Sequence, residues 1–298
     1  MITLENEHLT IKINRLGAEL TSVVDRASDY EFMWQADADY WGRHAPVLFP
    51  IVGRLKEDQY QYNGETYHMT QHGFARDSEF ELLETTGSTA LFRLKSSETT
   101  KEMYPFDFEL HIQYTLSRKN VVVKYIVLNP SETDEMYYAI GGHPAFNISQ
   151  IENEAGEKEF NQVSVEIKPH VEVKHFPLTP EGFIADTKAE KQLPGEMALT
   201  HETFHNDALV YKIDEGKAIE LKDKANNVQI NVLTSNLPYV GIWSPYPARA
   251  GFVCVEPWAG IADTENASGN YQDKVGINHL EPSKEQTHEY CLMFLKDK

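Results

Sequence analysis

Cysteine is scarce in this sequence. Cys254 and Cys291 are the only two among 298 residues, and they do not form a CxxC pair. Cys254 also lies in an apolar segment of the kind that forms a buried strand. We therefore interpret both residues as reduced thiols of a protein core.

Long apolar runs are also missing. None approaches the roughly 18–20 residues that a membrane-spanning helix requires. The first eight residues, Met1 to His8, lack the basic start and the apolar stretch of a signal peptide. Together with the cysteine content, these absences predict a soluble cytoplasmic protein with no membrane partner.

Basic residues are fewer than acidic residues. Lys and Arg together number 27 and Asp and Glu together 46, so the formal net charge at pH 7 is −19. A surface this negative repels nucleic-acid phosphates and anionic membranes, so we expect no nucleic-acid partner. The net charge places no restriction on a small neutral ligand.

Helical periodicity is absent as well, since no long window repeats apolar residues every 3.6 positions between two helix caps. The chain instead contains short segments rich in β-branched and aromatic residues, which end at Gly, Asn, Asp, Ser or Pro. These segments are 9–13, 18–24, 80–83, 91–94, 108–114, 121–128, 163–167, 208–213, 218–221, 228–233, 239–243, 252–256 and 290–295. They predict a mainly antiparallel β protein, most simply a large β-sandwich, with short helical turns near 37–41 and 98–104.

The most loop-like region lies around 152–202 and is rich in Glu, Lys, Pro and Gly. It could be a linker between two domains or a long excursion from one domain. Strand-like segments occur within it and on both sides, which favours a single β-sandwich domain over residues 1–298. No fixed-period repeat is present, so a propeller or a solenoid is not expected.

Two titratable residues stand directly before prolines at the ends of apolar segments. His143 lies in Gly-Gly-His-Pro-Ala-Phe-Asn, and Glu256 ends Phe-Val-Cys-Val-Glu-Pro-Trp. The proline restrains the preceding backbone to an extended conformation, and a carboxylate in so apolar a strand needs a partner or a purpose. Strand alternation places Phe252, Cys254 and Glu256 on one face. Either titratable residue could equally make a structural hydrogen bond.

Five further residues are candidates for binding. Arg54 follows an apolar segment, and its fork of donors suits neighbouring sugar hydroxyls or a phosphate. His72 and Arg76 lie in Gln-His-Gly-Phe-Ala-Arg, Asp207 precedes an apolar segment, and Trp258 offers a ring face to a sugar. Each has an ordinary structural alternative, such as a surface ion pair or a turn. The sequence has no GxSxG elbow, no P-loop and no Rossmann fingerprint.

Taken together and in this order, the motifs resemble the aldose 1-epimerase (galactose mutarotase-like) family over essentially the whole chain. The resemblance is carried by an arginine after an apolar segment, a histidine in a glycine turn, His-Pro-x-Phe-Asn, an aspartate before a strand and a late Glu-Pro. The two histidine motifs are most similar to the LacX-type branch, which is associated with lactose-utilisation operons. The family implies a large β-sandwich called a supersandwich, with an open cleft on one curved sheet.

The resemblance also implies an activity and a set of roles. The protein would be an isomerase of carbohydrate metabolism that interconverts the α and β anomers of a hexose such as galactose. His143 matches the general acid and Glu256 the general base, while Arg54, His72 and Asp207 match residues that hold the sugar. No metal or other cofactor is implied. Because an unperturbed Glu is ionised at neutral pH and a nearby acid can hold His protonated, we expect only modest pKa adjustment.

The sequence also departs from the galactose mutarotases. Ala145 stands where they usually carry an aromatic residue, and Trp258 stands where they usually have Gln. The chain is also shorter than theirs. These departures leave the acid and the base in place but leave the identity of the sugar open.

Three rival interpretations remain at this point. A hexose-6-phosphate 1-epimerase would use Arg54, Arg76 or Lys56 to neutralise a phosphate, although the acidic chain favours an unphosphorylated sugar. A non-catalytic carbohydrate-binding protein would use Trp258 and Phe74 as stacking platforms. A cupin-like enzyme would bind a metal through His72, His143 and Glu256, although their spacing does not support ligation. The sequence does not decide between a monomer and a homodimer.

Overall fold

The computed structural model describes residues 1–170, 172–185, 189–192, 195–213 and 216–297, with the backbone alone described at 189–192. In these ranges most of the regular secondary structure consists of strands. The strands are β1 (Ile2–Glu5), β2 (Leu9–Ile13), β3 (Leu20–Asp25), β4 (Tyr30–Glu31), β5 (Val47–Leu48), β6 (Gln59–Tyr62), β7 (Glu65–His68), β8 (Glu81–Thr85), β9 (Thr89–Lys95), β10 (Glu109–Ser117), β11 (Asn120–Leu128), β12 (Met136–Tyr138), β13 (Ile140–Gly142), β14 (Ala145–Asn147), β15 (Gln150–Glu152), β16 (Lys158–Phe160), β17 (Val163–Lys168), β18 (Glu172–Phe176), β19 (Ala189–Gln192), β20 (Met197–Ala198), β21 (Leu209–Lys212), β22 (Ala218–Asp223), β23 (Val228–Thr234), β24 (Tyr239–Trp243), β25 (Phe252–Ala259), β26 (Asn278–Leu280) and β27 (Glu285–Lys296).

Helices are short and few in the described ranges. The α-helix α1 (Glu98–Met103) begins at Ser97, whose hydroxyl accepts a hydrogen bond from the Thr100 amide while the Thr100 hydroxyl accepts one from the Ser97 amide. It confirms the turn predicted near 98–104. At 37–41 the chain makes one hydrogen-bonded turn on the carbonyl of Asp37. The 3₁₀ helices are Lys56–Asp58, Ala75–Asp77, His201–Phe204, Lys224–Asn226 and Tyr271–Asp273.

Two large antiparallel sheets dominate the fold. One has nine strands in the order β20-β17-β22-β23-β27-β11-β10-β9-β8. The other has eight strands in the order β19-β18-β21-β24-β25-β13-β5, with β14 pairing to β25 beside that path. Strands β1 to β4 form a separate four-stranded sheet. The predicted large antiparallel β-sandwich is therefore confirmed.

The two large sheets differ in how they are buried. Residues of β10 and β11 alternate between buried and partly exposed positions, so one face of the nine-stranded sheet meets the core. Every residue of β25 is buried, so both faces of the eight-stranded sheet are covered there. One face of β25 presents Val253 and Val255 to the main core, whereas Phe252 and Cys254 join a separate aromatic cluster. The ligand atoms of Cys254 and Glu256 lie within 4.8 Å of each other, so the predicted shared face of Phe252, Cys254 and Glu256 is confirmed.

The segment 152–202 holds more strand than its composition indicates. Strand β17 lies inside the nine-stranded sheet and β18 inside the eight-stranded sheet, so this segment joins both layers. Residues 171, 186–188 and 193–194 within it lie outside the described residues. The organisation as one domain stays a prediction, and the main hydrophobic core, which runs from Leu4 to Phe294, supports it.

Two expectations about composition can be compared with the structure. Cys254 and Cys291 are both free thiols, and Cys254 is buried whereas Cys291 is only partly so. The segment predicted to begin a strand at 18 does so only at Leu20, because Ala18 has a left-handed backbone with φ of 45°. No helix in the described part of the chain is long and apolar enough to span a membrane.

Candidate active site

His143 and Glu256 face each other across neighbouring strands. The pairing runs from Gly141 opposite Trp258 to Ala145 opposite Cys254, which places His143 opposite Glu256 on β25. Their side chains touch, with Nε2 of His143 3.1 Å from Oε2 of Glu256. The two residues that precede prolines in the sequence are therefore cross-strand neighbours in direct contact.

Burial controls the protonation of this pair. The side chains of His143 and Glu256 are only 9% and 2% exposed. Burial raises the pKa of Glu256 well above its ordinary value, and the nearby Asp207 raises it further, while the Trp258 indole partly opposes the rise. Burial also lowers the pKa of His143, and the charge of Arg76 acts in the same direction. The favoured form places the shared proton on the carboxyl group, so the expectation of only modest pKa adjustment is wrong.

A cavity of about 300 Å³ opens above the pair. All seven residues predicted for the site line it, although they come from widely separated parts of the chain. They are Arg54, His72, Arg76, His143, Asp207, Glu256 and Trp258. A volume of this order suits a small ligand such as a monosaccharide.

His72 is fixed by the turn that carries Arg54. The backbone amide of Gly53 donates a hydrogen bond of 3.1 Å to Nδ1 of His72, and the amide of His72 donates one of 2.9 Å to the carbonyl of Gly53. Burial lowers the pKa of His72 well below its ordinary value, with further contributions from His143 and nearby arginines. A neutral ring that accepts at Nδ1 carries its proton on Nε2, which makes that atom a donor for a ligand.

Asp207 occupies a strained turn before β21. Its φ is 68°, and its Oδ1 accepts a hydrogen bond of 2.8 Å from the amide of Ala208. Burial raises its pKa, while that amide and the charge of Arg54 oppose the rise. Asp207, Arg54 and Glu256 all line the cavity, where the Asp207 carboxyl group can accept hydrogen bonds from a polar ligand.

Trp258 forms part of the cavity floor. It is only 6% exposed and lies across two glycines of the sheet. A Cβ atom at Gly141 would lie 2.5 Å from its Cδ1 atom, and one at Gly241 would lie 2.3 Å from its Cη2 atom. Glycine is needed at 141 and 241 because the Trp258 indole approaches the backbone closely there, and not because the backbone angles are unusual. At this low exposure the ring face that was expected to be open to a sugar is largely covered.

Sequence motifs missed several lining residues. Trp41 stacks on His143, and Trp243 meets the same imidazole edge-on, with centroids 5.7 Å apart. Leu178, Gly182 and Ile184 supply a wall from the segment that was predicted to be loop-like. A tryptophan in the predicted turn at 37–41 was the only sequence signal available, because the wall residues carry no motif.

Among the described residues, the possible metal ligands at this site differ from the set first considered. In the part of the chain described, the ligand atoms of His143, Cys254 and Glu256 all lie within 4.8 Å of one another, and His72 is not part of this group. His, Cys and Glu together suit zinc. A metal there would compete for the imidazole of His143 and the carboxyl group of Glu256, which contact each other. Burial also raises the pKa of the Cys254 thiol well above its ordinary value, which opposes formation of the thiolate that would bind a metal.

Comparison with known proteins shows similarity over nearly the whole chain. The family model described as aldose 1-epimerase matches residues 1–277. Protein LacX of Lactococcus lactis subsp. lactis, in its plasmid and chromosomal forms, is 30% identical over 302 residues and covers 99% of each chain. The predicted similarity to the LacX-type branch is thus confirmed.

Solved structures extend the similarity to the whole fold. A galactose mutarotase related enzyme from Lactobacillus acidophilus is 39% identical, with a TM-score of 0.91 and coverage of 99% of this chain and 97% of the other. A galactose mutarotase-like protein from Lactobacillus casei is 30% identical, also with a TM-score of 0.91, and covers 99% and 100% of the two chains. The chain therefore belongs to the aldose 1-epimerase family.

Proposed function

We propose that the protein is an aldose 1-epimerase, an isomerase that interconverts the α and β anomers of a hexose. The observation that carries the proposal is the 3.1 Å contact between His143 and Glu256 at the cavity floor. An anomerase must remove a proton from the O1 hydroxyl and deliver one to the ring oxygen, so it needs one base and one acid side by side.

The proposed reaction begins with the proton on His143 and the carboxylate of Glu256 free. Glu256 takes the proton from O1 while His143 gives its proton to the ring oxygen, and the bond between C1 and that oxygen breaks. The open aldehyde rotates about the C1–C2 bond. Ring closure then returns a proton from Glu256 to O1, and His143 takes one from the C5 hydroxyl.

The same scheme gives a role to the protonation form that burial favours. After ring opening the pair consists of a neutral imidazole and a protonated carboxyl, which is the form favoured by the pKa shifts of both groups. In the free enzyme, where the favoured form has the proton on Glu256, that proton can move to His143 across the direct contact before the first ring opens. The environment thus stabilises the middle of the cycle, when the sugar is an open chain.

The remaining lining residues would hold the sugar. His72 donates through Nε2, Asp207 accepts through its free oxygen, and Arg54 and Arg76 donate from their guanidinium groups. Galactose is the first substrate to test, because two solved relatives are described as galactose mutarotase related or galactose mutarotase-like. We place the reaction in cytoplasmic carbohydrate metabolism, and the mechanism needs no cofactor.

The proposal is tested by following anomer exchange of galactose and glucose by polarimetry, after subtraction of the spontaneous rate. We expect His143→Ala and Glu256→Gln each to lower kcat by about 100-fold or more, the usual contribution of one general acid or base. Circular dichroism and thermal melting of both variants serve as the folding controls. A folded His143→Ala enzyme with full activity would rule out the proposed acid.

The rival functions predict different results in the same assay. A carbohydrate-binding protein would leave the spontaneous rate unchanged, and its Glu256→Gln variant would bind sugars as tightly as the wild type. A metal enzyme would lose activity on treatment with a chelator and regain it with zinc. We expect chelation to leave the rate unchanged, with the metal content measured in the same samples.

A further inference from the structure

The turn that carries Arg54 is attached to the segment that follows the Glu256 strand. The amide of Asp263 donates a hydrogen bond of 2.9 Å to the carbonyl of Arg54. Oδ2 of Asp263 accepts one of 3.0 Å from the amide of Lys56, two residues further along the turn. A single residue thus holds the backbone of this turn at two points.

The carboxylate of Asp263 is itself held in place. Nζ of Lys274 donates to its other oxygen, Oδ1, at 2.7 Å, and both side chains are almost fully buried. The two carboxylate oxygens therefore have separate partners, the ammonium group on one and the Lys56 amide on the other. The first contact fixes the carboxylate, and the second transmits its position to the turn.

Close packing joins the same turn to the same segment. A Cβ atom at Gly53 would lie 2.5 Å from Cβ of Ala262, so the two backbones are in direct contact there. Further along, Oη of Tyr271 donates to the carbonyl of Pro50 at 3.0 Å and holds the start of the turn. The turn is therefore fixed from one side by residues that follow β25.

The cavity wall is attached to the same aspartate. The amide of Ile184 donates to the carbonyl of Asp263 at 2.8 Å. In that wall, a Cβ atom at Gly182 would lie 3.4 Å from Oδ2 of Asp207 and 3.9 Å from Nε of Arg54. The wall thus lies against two of the groups proposed to hold the sugar, and Asp263 links it to the Arg54 turn.

The side chain of Arg54 is only weakly held by its neighbours. Within the described residues it makes one side-chain hydrogen bond, from Nη2 to Oε1 of Gln71 at 3.4 Å, and its buried Nε atom has no hydrogen-bond partner. The position of the guanidinium group therefore depends mainly on the backbone from which it extends. A shift of that backbone would move a proposed sugar-binding group relative to the His143–Glu256 pair.

We propose that Asp263 is a positioning residue, whose side chain and amide set the place of Arg54 relative to the strand that carries Glu256. Its carbonyl anchors the facing wall. The inference rests on the proposed function and adds a residue that is not among the described residues lining the cavity. Because Arg54 would hold the sugar both before and during ring opening, its misplacement should raise KM more than it lowers kcat.

A matched pair of double variants separates this role from the stability that the ion pair supplies. Asp263→Asn/Lys274→Met and Asp263→Ala/Lys274→Met both remove the two buried charges together, so neither leaves an unpaired charge. Asparagine keeps an oxygen for the Lys56 amide, whereas alanine does not. We expect the alanine variant to raise KM for galactose and glucose by about tenfold or more, with a smaller change in kcat, and the asparagine variant to stay within about threefold of the wild type.

A cycle with Arg54→Met tests whether the effect passes through Arg54. Once the guanidinium group is absent, the alanine and asparagine variants should have the same KM, because coupled residues are not additive. The control is Asp223→Asn, at another buried aspartate whose carboxylate is held by Ser149 and Asn226, and it should leave KM unchanged. Equal KM values for the two double variants with Arg54 present, or a difference that persists without it, would overturn the proposal.

The experiment also separates this proposal from the proposed function. Anomer exchange gives KM and kcat, and the fluorescence of the tryptophans that line the cavity gives Kd for the same sugars. If the wild type binds the sugars without accelerating exchange, the epimerase activity is excluded, and Kd replaces KM in both comparisons. If the wild type neither binds nor accelerates them, the proposed function and the role of Asp263 are both excluded.

Discussion

The imidazole of His143 is stacked on the indole of Trp41, with ring centroids 4.8 Å apart and planes inclined by 28°. The indole therefore covers one face of the proposed acid, while Glu256 contacts its Nε2 atom. Trp41 comes from a turn far from His143 in the sequence. It orients the ring and keeps water away from it.

Replacing Trp41 should therefore change both rate and pH dependence. We expect Trp41→Ala to lower kcat by about 2- to 10-fold, the range for loss of one aromatic contact. Burial is the main cause of the low His143 pKa, so the entry of water should raise that pKa. The limb of the pH–rate profile that reports His143 should then move to higher pH. Trp41→Phe keeps the ring covered and serves as the control. A profile in Trp41→Ala identical to that of the wild type would contradict this account.

Glu256 should make the protein less stable as the pH rises. In the folded state burial raises its pKa, whereas the unfolded chain releases the proton near pH 4.5, the ordinary value. Above that pH the folded state binds more protons than the unfolded state, so stability falls with increasing pH, by at most about 1.4 kcal/mol per unit. Glutamine cannot ionise, so Glu256→Gln should be more stable than the wild type at pH 7.5 and lose that advantage near pH 4. Urea unfolding at both pH values measures the difference, and an equal difference at the two values would contradict the buried carboxyl.

The glycine at 241 should not tolerate a side chain. A Cβ atom there would lie 2.3 Å from Cη2 of Trp258, and Gly241 is paired with Glu256 on the next strand. We expect Gly241→Ala to lose about 1–3 kcal/mol of unfolding free energy through overpacking and to lower kcat/KM by shifting the indole beside the carboxyl. Gly87→Ala is the matched control, because no heavy atom lies within 4 Å of a Cβ at that position. A Gly241→Ala protein as stable as the control would show that the floor can readjust.

The ion pair beneath the cavity wall should be essential for stability. Nζ of Lys274 lies 2.7 Å from Oδ1 of Asp263, with the two side chains only 2% and 6% exposed. Lys274→Met leaves the carboxylate buried and unpaired, so we expect a loss of about 3 kcal/mol or more. The control is Lys95→Met, which breaks a partly exposed pair with Glu109 of the same length and should cost no more than about 1 kcal/mol. Comparable losses in the two variants would refute the distinction between buried and exposed pairs.

The fold was predictable from the sequence because the strands carry their own signals. Segments 239–243 and 121–128 showed the right residue types and ended at breakers, and the structure places strands there. Strand ends were less predictable, since β27 begins at Glu285, five residues before its apolar part. Pairing with β11 sets this extension, and the residue types at 285–289 do not indicate it.

The site was predictable in its members but not in its geometry. The prolines after His143 and Glu256 marked both residues, yet their direct contact depends on the register between strands that are more than a hundred residues apart. The direction of their pKa shifts follows from the covering of both faces of β25, which is a tertiary property. Trp41 carried no motif at all, and only the folded chain brings it to His143.

The indole of Trp258, seated over Gly141 and Gly241, has a consequence for how substrate range can be altered. A side chain at either glycine would displace this indole, which lines the same cavity as His143 and Glu256. Changes to the floor would therefore disturb the chemistry together with recognition. The wall residues Leu178, Gly182 and Ile184 line the same cavity and carry no charge that could act on the pair. Engineering of the preferred sugar should therefore begin at the walls, with the floor left intact.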